Sequence, residues 1–260
     1  LMYYYKNMDN KILILLFYYN RPNLVKTALA SIKNHNYHNW ELAFIDDGSE
    51  IEGKPIVEEI LSESLSNIKF YNTYDSIENK LQRNQEEGSI FGKYAQQAIE
   101  ESNADIALML CDDDALYPNY LINLNTYFNN HPEENYVYSH IHPFDPILTR
   151  IEDNPPYEHH HLNKEYPLNP YYNIDMSQVS WRIKPFLDNN IKFRYPMTVD
   201  LDANLYDQMH NKFGDCKFSG FFSQYKSICK GGYNDQLSYR MGKRLANLNR
   251  PEDIYKITIK

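Results

Sequence analysis

Cysteine is scarce in this chain, and its absences narrow its chemistry before any motif is read. The three cysteines among 260 residues, Cys111, Cys216 and Cys229, form neither a CxxC pair nor an even disulfide set, so free thiols in a reducing compartment are expected. Long apolar runs are missing too. The longest, Ile12 to Tyr19, falls far short of the roughly 20 residues a membrane-crossing helix needs. The first residues carry no basic stretch ahead of an apolar core, the mark of a secretory leader. Positive charge is in deficit, with 26 Lys and Arg against 35 Asp and Glu and a formal net charge of −9. A nucleic-acid backbone is therefore not an expected partner, although a nucleotide held through a metal remains compatible. No Gly-rich phosphate loop lies near the first strand, which weighs against a nucleotidyltransferase. Together these absences predict a soluble, cytoplasmic protein without a transmembrane segment.

What is present is an ordinary globular share of hydrophobic residues, 42%, with a high aromatic share of 15% that includes 24 tyrosines. The chain is long enough to bury a substantial core. Apolar runs at Lys11 to Phe17, Trp40 to Ile45, Ile68 to Tyr71 and Ile106 to Leu110 read as buried strands. Helical spacing follows Asn20-Arg21-Pro22 and recurs over Pro55 to Ser64, Lys93 to Ser102 and Tyr120 to Asn129. Residues 75–90 are polar and read as a long loop or broken helix. Such alternation predicts right-handed βαβ units and a parallel sheet, with ligands beyond the carboxyl ends of its strands.

After a further strand at Tyr136 to Ser139 the texture changes. Residues 142–173 hold six of the 13 prolines and read as irregular. His159-His160-His161 lies there, but adjacent histidines in a polar loop cannot all face one ion. Regular structure is expected again at Val179 to Arg182 and over Leu201 to Phe213, where Gly214 suits a helix end. No internal repeat is evident, so residues 1–260 are expected to form one domain. That domain would divide into a first part of about 11–140 and an embellished second part of about 141–260.

Three strand ends carry polar residues: Tyr19-Asn20-Arg21, Asp46-Asp47-Gly48-Ser49 and Asp112-Asp113-Asp114. Three consecutive carboxylates repel one another unless a cation or donors offset them, and hard divalent ions take oxygen ligands. An acidic turn before a helix explains the same residues without a metal. Asp46-Asp47 can accept from a nucleotide base or ribose, or simply cap a turn. Asp200 and Asp202 precede a helix and suit either its dipole or a general base. Arg83, Lys93, Arg182 and the basic tail can pair with phosphate, or stand solvated at the surface.

Taken together, these segments resemble the inverting family 2 glycosyltransferases of the GT-A (nucleotide-diphospho-sugar transferase) fold, with a layout close to its bacterial spore-coat member. Ile12 to Leu24 is similar to that family's opening strand, YNRP and helix. Trp40 to Ser49 resembles its WELIIVDDGS segment, and Leu110 to Leu121 its acidic metal motif and following helix. The resemblance implies a Rossmann-like αβα sandwich with a mostly parallel sheet and an irregular C-terminal half. It implies a nucleotide-diphosphate sugar as donor, a carbohydrate or glycoconjugate acceptor, and Mn²⁺ or Mg²⁺ as cofactor. Carried over by position, Tyr19 and Asp47 would hold the base and Asp112 would lie near the ribose or sugar. Asp113 would bind the metal with Asp114 adjacent, Arg83 or Lys93 would contact the nucleotide, and Asp200 would be the catalytic base. Cys111 stands where the family's first acidic residue is usual, and the expected basic residue near 90–96 is not clearly placed. These departures motivate an alternative, a sugar-nucleotide- or carbohydrate-binding protein that lost transfer.

Overall fold

The computed structural model describes residues 9–72, 90–144, 165–170, 174–193 and 201–227. Among them the strands form one eight-stranded sheet. Its first four are β1 (Ile12–Tyr18), β2 (Trp40–Asp46), β3 (Ile68–Asn72) and β4 (Ile106–Cys111). The other four are β5 (Ala115–Leu116), β6 (Tyr136–Phe144), β7 (Val179–Arg182) and β8 (Lys217–Ser227). The order across the sheet is β3-β2-β1-β4-β7-β6-β8-β5. Strands β3, β2, β1 and β4 run parallel, β7 is antiparallel to both its neighbours, β6 and β8 are parallel, and β5 is antiparallel to β8.

The helices are α1 (Pro22–Lys33), α2 (Lys54–Ile60), α3 (Ile90–Glu101), α4 (Tyr120–Asn130), α5 (Ile183–Asp188) and α6 (Leu201–Phe213). They cover both faces of the sheet, which is why β1 and β4 at its centre are apolar at every position rather than at alternate ones. In β1, Leu13, Leu15 and Phe17 face one core with Ala95, Ala98 and Ile99 of α3 and Leu205, Tyr206 and Met209 of α6. Ile12, Ile14, Leu16 and Tyr18 face the other with Val25, Ala28, Leu29 and Ile32 of α1 and Leu121, Leu124 and Phe128 of α4. Each fully buried Leu, Ile, Val, Phe or Met among them contributes roughly 1.5–3 kcal/mol. The αβα sandwich that the resemblance implied is what the structure has.

Helix starts and stops follow local chemistry. Pro22 opens α1, where its missing N–H costs nothing. Gly214, at φ +79°, closes α6 by donating its N–H to the His210 carbonyl at 2.8 Å. The segment read as one helix over 55–64 is instead α2 followed by a 3₁₀ turn, Ser62–Asn67.

The C-terminal half contributes more regular structure than its composition suggested, chiefly β8. Its sequence, Lys217 to Ser227, hides a strand because pairing with β6 slips between Tyr138 and His140 and Gly220 takes a positive φ of +85°. Those irregularities destroy the period-2 pattern that reveals a strand. Buried amides secure this half of the sheet: Gln224 Nε2 donates to the Met109 carbonyl at 2.6 Å, and Gln178 Nε2 to that of Ser139 at 2.8 Å.

Candidate functional site

Parallel pairing puts the ends of β1, β2 and β4 side by side: Tyr18 pairs with Asp46, and Phe17 with Cys111. The three polar strand ends read in the sequence therefore meet at one carboxyl edge. The loops are stitched together. The Asn20 N–H donates to Ser49 Oγ at 3.0 Å, and Asn20 Oδ1 accepts from Glu50 N at 2.7 Å. Asn20 and Gly48 both take positive φ, 51° and 65°, which Asn tolerates and Gly adopts freely.

The two aspartates at the end of β2, Asp46 within it and Asp47 just beyond, divide their labour. Asp46 serves the turn, accepting from Ser49 N at 2.9 Å and Gly53 N at 3.1 Å. Asp47 and Tyr19 are both buried at the edge, the Asp47 N–H donating to the Tyr18 carbonyl at 3.2 Å. Tyr19 is joined to the acidic cluster, because its N–H donates to Asp112 Oδ2 at 2.9 Å.

The acidic cluster is built around two cations. Arg21, 6% exposed, sets Nη1 at 2.9 Å from Asp112 Oδ1 and 2.7 Å from Asp113 Oδ2. Lys226 Nζ lies 3.0 Å from Asp114 Oδ2 and 3.2 Å from Asp175 Oδ1, while Ser227 N–H donates to Asp114 Oδ1 at 2.9 Å. Burial pushes the Asp112 and Asp114 carboxyls above the ordinary carboxylate range, against the pull of Arg21 and Lys226. Burial works against the Asp175 carboxylate too, but Lys226 and the Ser177 hydroxyl and N–H outweigh it and hold its pKa down. Burial also raises the Cys111 thiol.

Cys111 Sγ, an Asp113 oxygen and an Asp114 oxygen lie within 4.8 Å of one another, a donor set a divalent ion can bridge. Charge agrees. Among the described residues four carboxylates, Asp112, Asp113, Asp114 and Asp175, meet two cations, Arg21 and Lys226, leaving a formal surplus of two negative charges. The residues present fit one divalent cation.

Of the other residues singled out in the sequence, Lys93 stands exposed on the first turn of α3. That turn reaches the same edge, since Phe91 packs on Phe17 with ring centroids 5.1 Å apart. Arg83, Asp200, the histidine run and the basic tail lie outside the described residues. Helix α6, directly after Asp200, is tied to the edge: Tyr206 OH donates to the Met176 carbonyl at 3.2 Å, and Met176 Sδ lies 3.8 Å from Cys111 Sγ. Arg182 requires a correction. It pairs with Ile106 at the start of β4, the opposite edge, and donates to the Glu134 and Phe128 carbonyls at 2.9 and 2.6 Å, so it braces α4 rather than awaiting phosphate.

Sequence reasoning did not single out Arg21, Asp175 or Lys226 for this site. Arg21 stood in a quoted motif, but its burial against two carboxylates was invisible. Lys226 sits on the strand that was not recognised. No helix among the described residues is long and apolar enough to cross a membrane.

Comparison with known proteins agrees with this architecture. The chain is similar to protein CgeD of Bacillus subtilis (strain 168), 25% identical over 132 residues that cover 51% of this chain and 29% of that protein. It superposes on S. aureus TarS 1-349 in complex with UDP-GlcNAc with a TM-score of 0.65 at 15% identity, covering 85% of this chain and 59% of that one. For the mannosyltransferase PcManGT of Pyrobaculum calidifontis, in complex with GDP-Man and Mn²⁺, the TM-score is 0.54 at 12% identity, over 95% of this chain and 68% of that one. The chain thus spans under a third of the curated relative and about three fifths of TarS 1-349. The profile of glycosyl transferase family 2 matches residues 13–183, well over half of the sequence, and the chain belongs to that family.

Proposed function

We propose that this protein transfers a sugar from a nucleotide-diphosphate sugar to an acceptor hydroxyl, with inversion and with Mn²⁺ or Mg²⁺ as cofactor. The observation that carries this reading is the meeting of three strand ends at one edge, with Asp113, Asp114 and Cys111 grouped there and two negative charges left over. Family membership supports it, as do fold neighbours whose complexes contain UDP-GlcNAc or GDP-Man with Mn²⁺.

In this reading Tyr19 and Asp47 hold the base, and Asp112 lines the ribose side while bracing Tyr19 and Arg21. Asp113 holds the cation with Asp114 beside it, and Arg83 or Lys93 contacts the nucleotide. When bound, the cation neutralises charge developing on the departing diphosphate. Asp200 accepts the proton of the acceptor hydroxyl as its oxygen attacks the anomeric carbon. The bond from that carbon to the diphosphate oxygen breaks in the same displacement, so the configuration inverts and a nucleoside diphosphate leaves.

The test is a panel of nucleotide-diphosphate sugars with Mn²⁺, Mg²⁺ or EDTA, reading nucleoside diphosphate release and, by calorimetry, binding. Release from a preferred donor, lost in EDTA, is the expected result. A second reading, binding without transfer, draws on Arg21 and Lys226, which already neutralise part of the cluster. Donor binding with no release across a broad acceptor set would favour it.

A further inference from the structure

We infer that Lys226 binds the donor diphosphate directly, as a fixed cation that acts beside the metal; the inference rests on the glycosyl-transfer reading above. Pairing of Ala115 with Tyr225 brings the end of β8 against the acidic cluster. An ammonium carries three N–H donors. Two point at Asp114 Oδ2 (3.0 Å) and Asp175 Oδ1 (3.2 Å), which fix the side chain before any ligand arrives. Asp175 is itself locked, since its Oδ1 accepts from Ser177 N at 3.0 Å and Ser177 Oγ at 2.6 Å. The ordering cost of a flexible lysine is thus met in the free protein.

Exposure separates the two cations that touch the cluster. The Arg21 side chain is 6% exposed and sealed between Asp112 and Asp113, whereas Lys226 is 22% exposed although Asp114 beneath it is fully buried. Lys226 is the more accessible of the two to an incoming anion. A divalent ion cancels the surplus of two negative charges, so a diphosphate arriving at this edge meets no net repulsion and one preset ammonium. A compact ammonium suits phosphate oxygens as a point charge.

The experiment is calorimetry on the full chain with inorganic pyrophosphate, UDP, GDP and the nucleosides uridine and guanosine, in EDTA and in Mn²⁺. Wild type is compared with Lys226→Met and Lys226→Arg. In Mn²⁺ the wild type should bind pyrophosphate and one nucleoside diphosphate, more weakly in EDTA, and Lys226→Met should weaken both about tenfold or more, the effect of one charge-assisted hydrogen bond. Nucleoside binding should stay unchanged, and Lys226→Arg should recover most of the diphosphate affinity. Equal diphosphate binding by wild type and Lys226→Met in Mn²⁺ overturns the inference, as does a parallel loss of nucleoside binding. If wild type binds no nucleoside diphosphate under either condition, the glycosyl-transfer reading itself falls. Should Lys226→Met fail to show a cooperative melt, Lys226→Gln, which keeps an N–H toward Asp114, takes its place with the same outcomes.

Discussion

Replacing Arg21 by Met removes the only cation that the described residues place on Asp112, and the cost follows from burial. Arg21 and Asp112 side chains are each 6% exposed, so water screens their interaction little, while Asp113 at 13% is closer to the edge. Taking one partner from a buried pair costs about 3–5 kcal/mol, because the other charge is left uncompensated. Asp112 would keep the Tyr19 N–H at 2.9 Å, which holds the loss near the lower end, about 3 kcal/mol. Against a total stability of about 5–15 kcal/mol, the variant should still fold. Urea unfolding followed by the fluorescence of the buried Trp40 and Trp181 reads this directly. The pH dependence has a definite sign. Burial holds the Asp112 pKa above its ordinary value even beside Arg21, and losing the guanidinium raises it further. A carboxyl whose folded pKa exceeds its unfolded one stabilises the folded state when protonated, so the deficit of Arg21→Met should shrink as pH falls from about 7 toward 5. Adding Asp112→Asn should recover at least half of the loss at pH 7. A deficit under about 1 kcal/mol, or one indifferent to both pH and Asp112→Asn, would refute the reasoning.

Asp200→Asn should leave nucleoside diphosphate affinity within about twofold while lowering turnover by about 100-fold or more; near-normal turnover would remove Asp200 as the base. Gly53→Ala tests the packing that holds the turn after β2. A Cβ there would stand 2.4 Å from Phe44 and 2.7 Å from Tyr18, so a loss of about 1–3 kcal/mol in a thermal or urea melt is expected although the backbone conformation suits Ala. Burial lowers the His35 imidazole from 6.5 to about 4. Its neutral form is favoured on folding, so the stability it contributes is whole above pH 6.5 and is lost as pH falls toward 4. Between pH 7 and 5 His35→Gln should therefore lose about 2 kcal/mol less than wild type; parallel pH profiles would contradict that assignment. Divalent ions should raise the melting temperature of the wild type by neutralising the acidic cluster, and less so for Asp113→Asn, which a Mn²⁺ titration of the melt can check.

The parts of the fold legible in the sequence are those whose pattern is local. The central strands β1, β2 and β4 announced themselves as apolar runs, interrupted only by Glu41 before the terminal Asp46 of β2, because helices cover both faces of the sheet. Their carboxyl ends were legible as polar punctuation. Strand β8 was not, because a register slip and Gly220 erase its alternation. Nor was the fate of Arg182: a cation on a strand reads alike at either end, and only its pairing with Ile106 assigns it to the far edge.

By itself, then, the sequence determined the βαβ order and which strands end in carboxylates, since both depend on neighbours along the chain. Tertiary structure alone decided which charges answer those carboxylates. Arg21 reaches Asp112 and Asp113 from 91 and 92 positions away, and Lys226 reaches Asp114 from 112. Ion pairs of that span leave no periodic trace in a sequence. They form only when parallel pairing aligns the strand ends and β8 folds back along β5, which turns a row of repelling aspartates into a braced cluster.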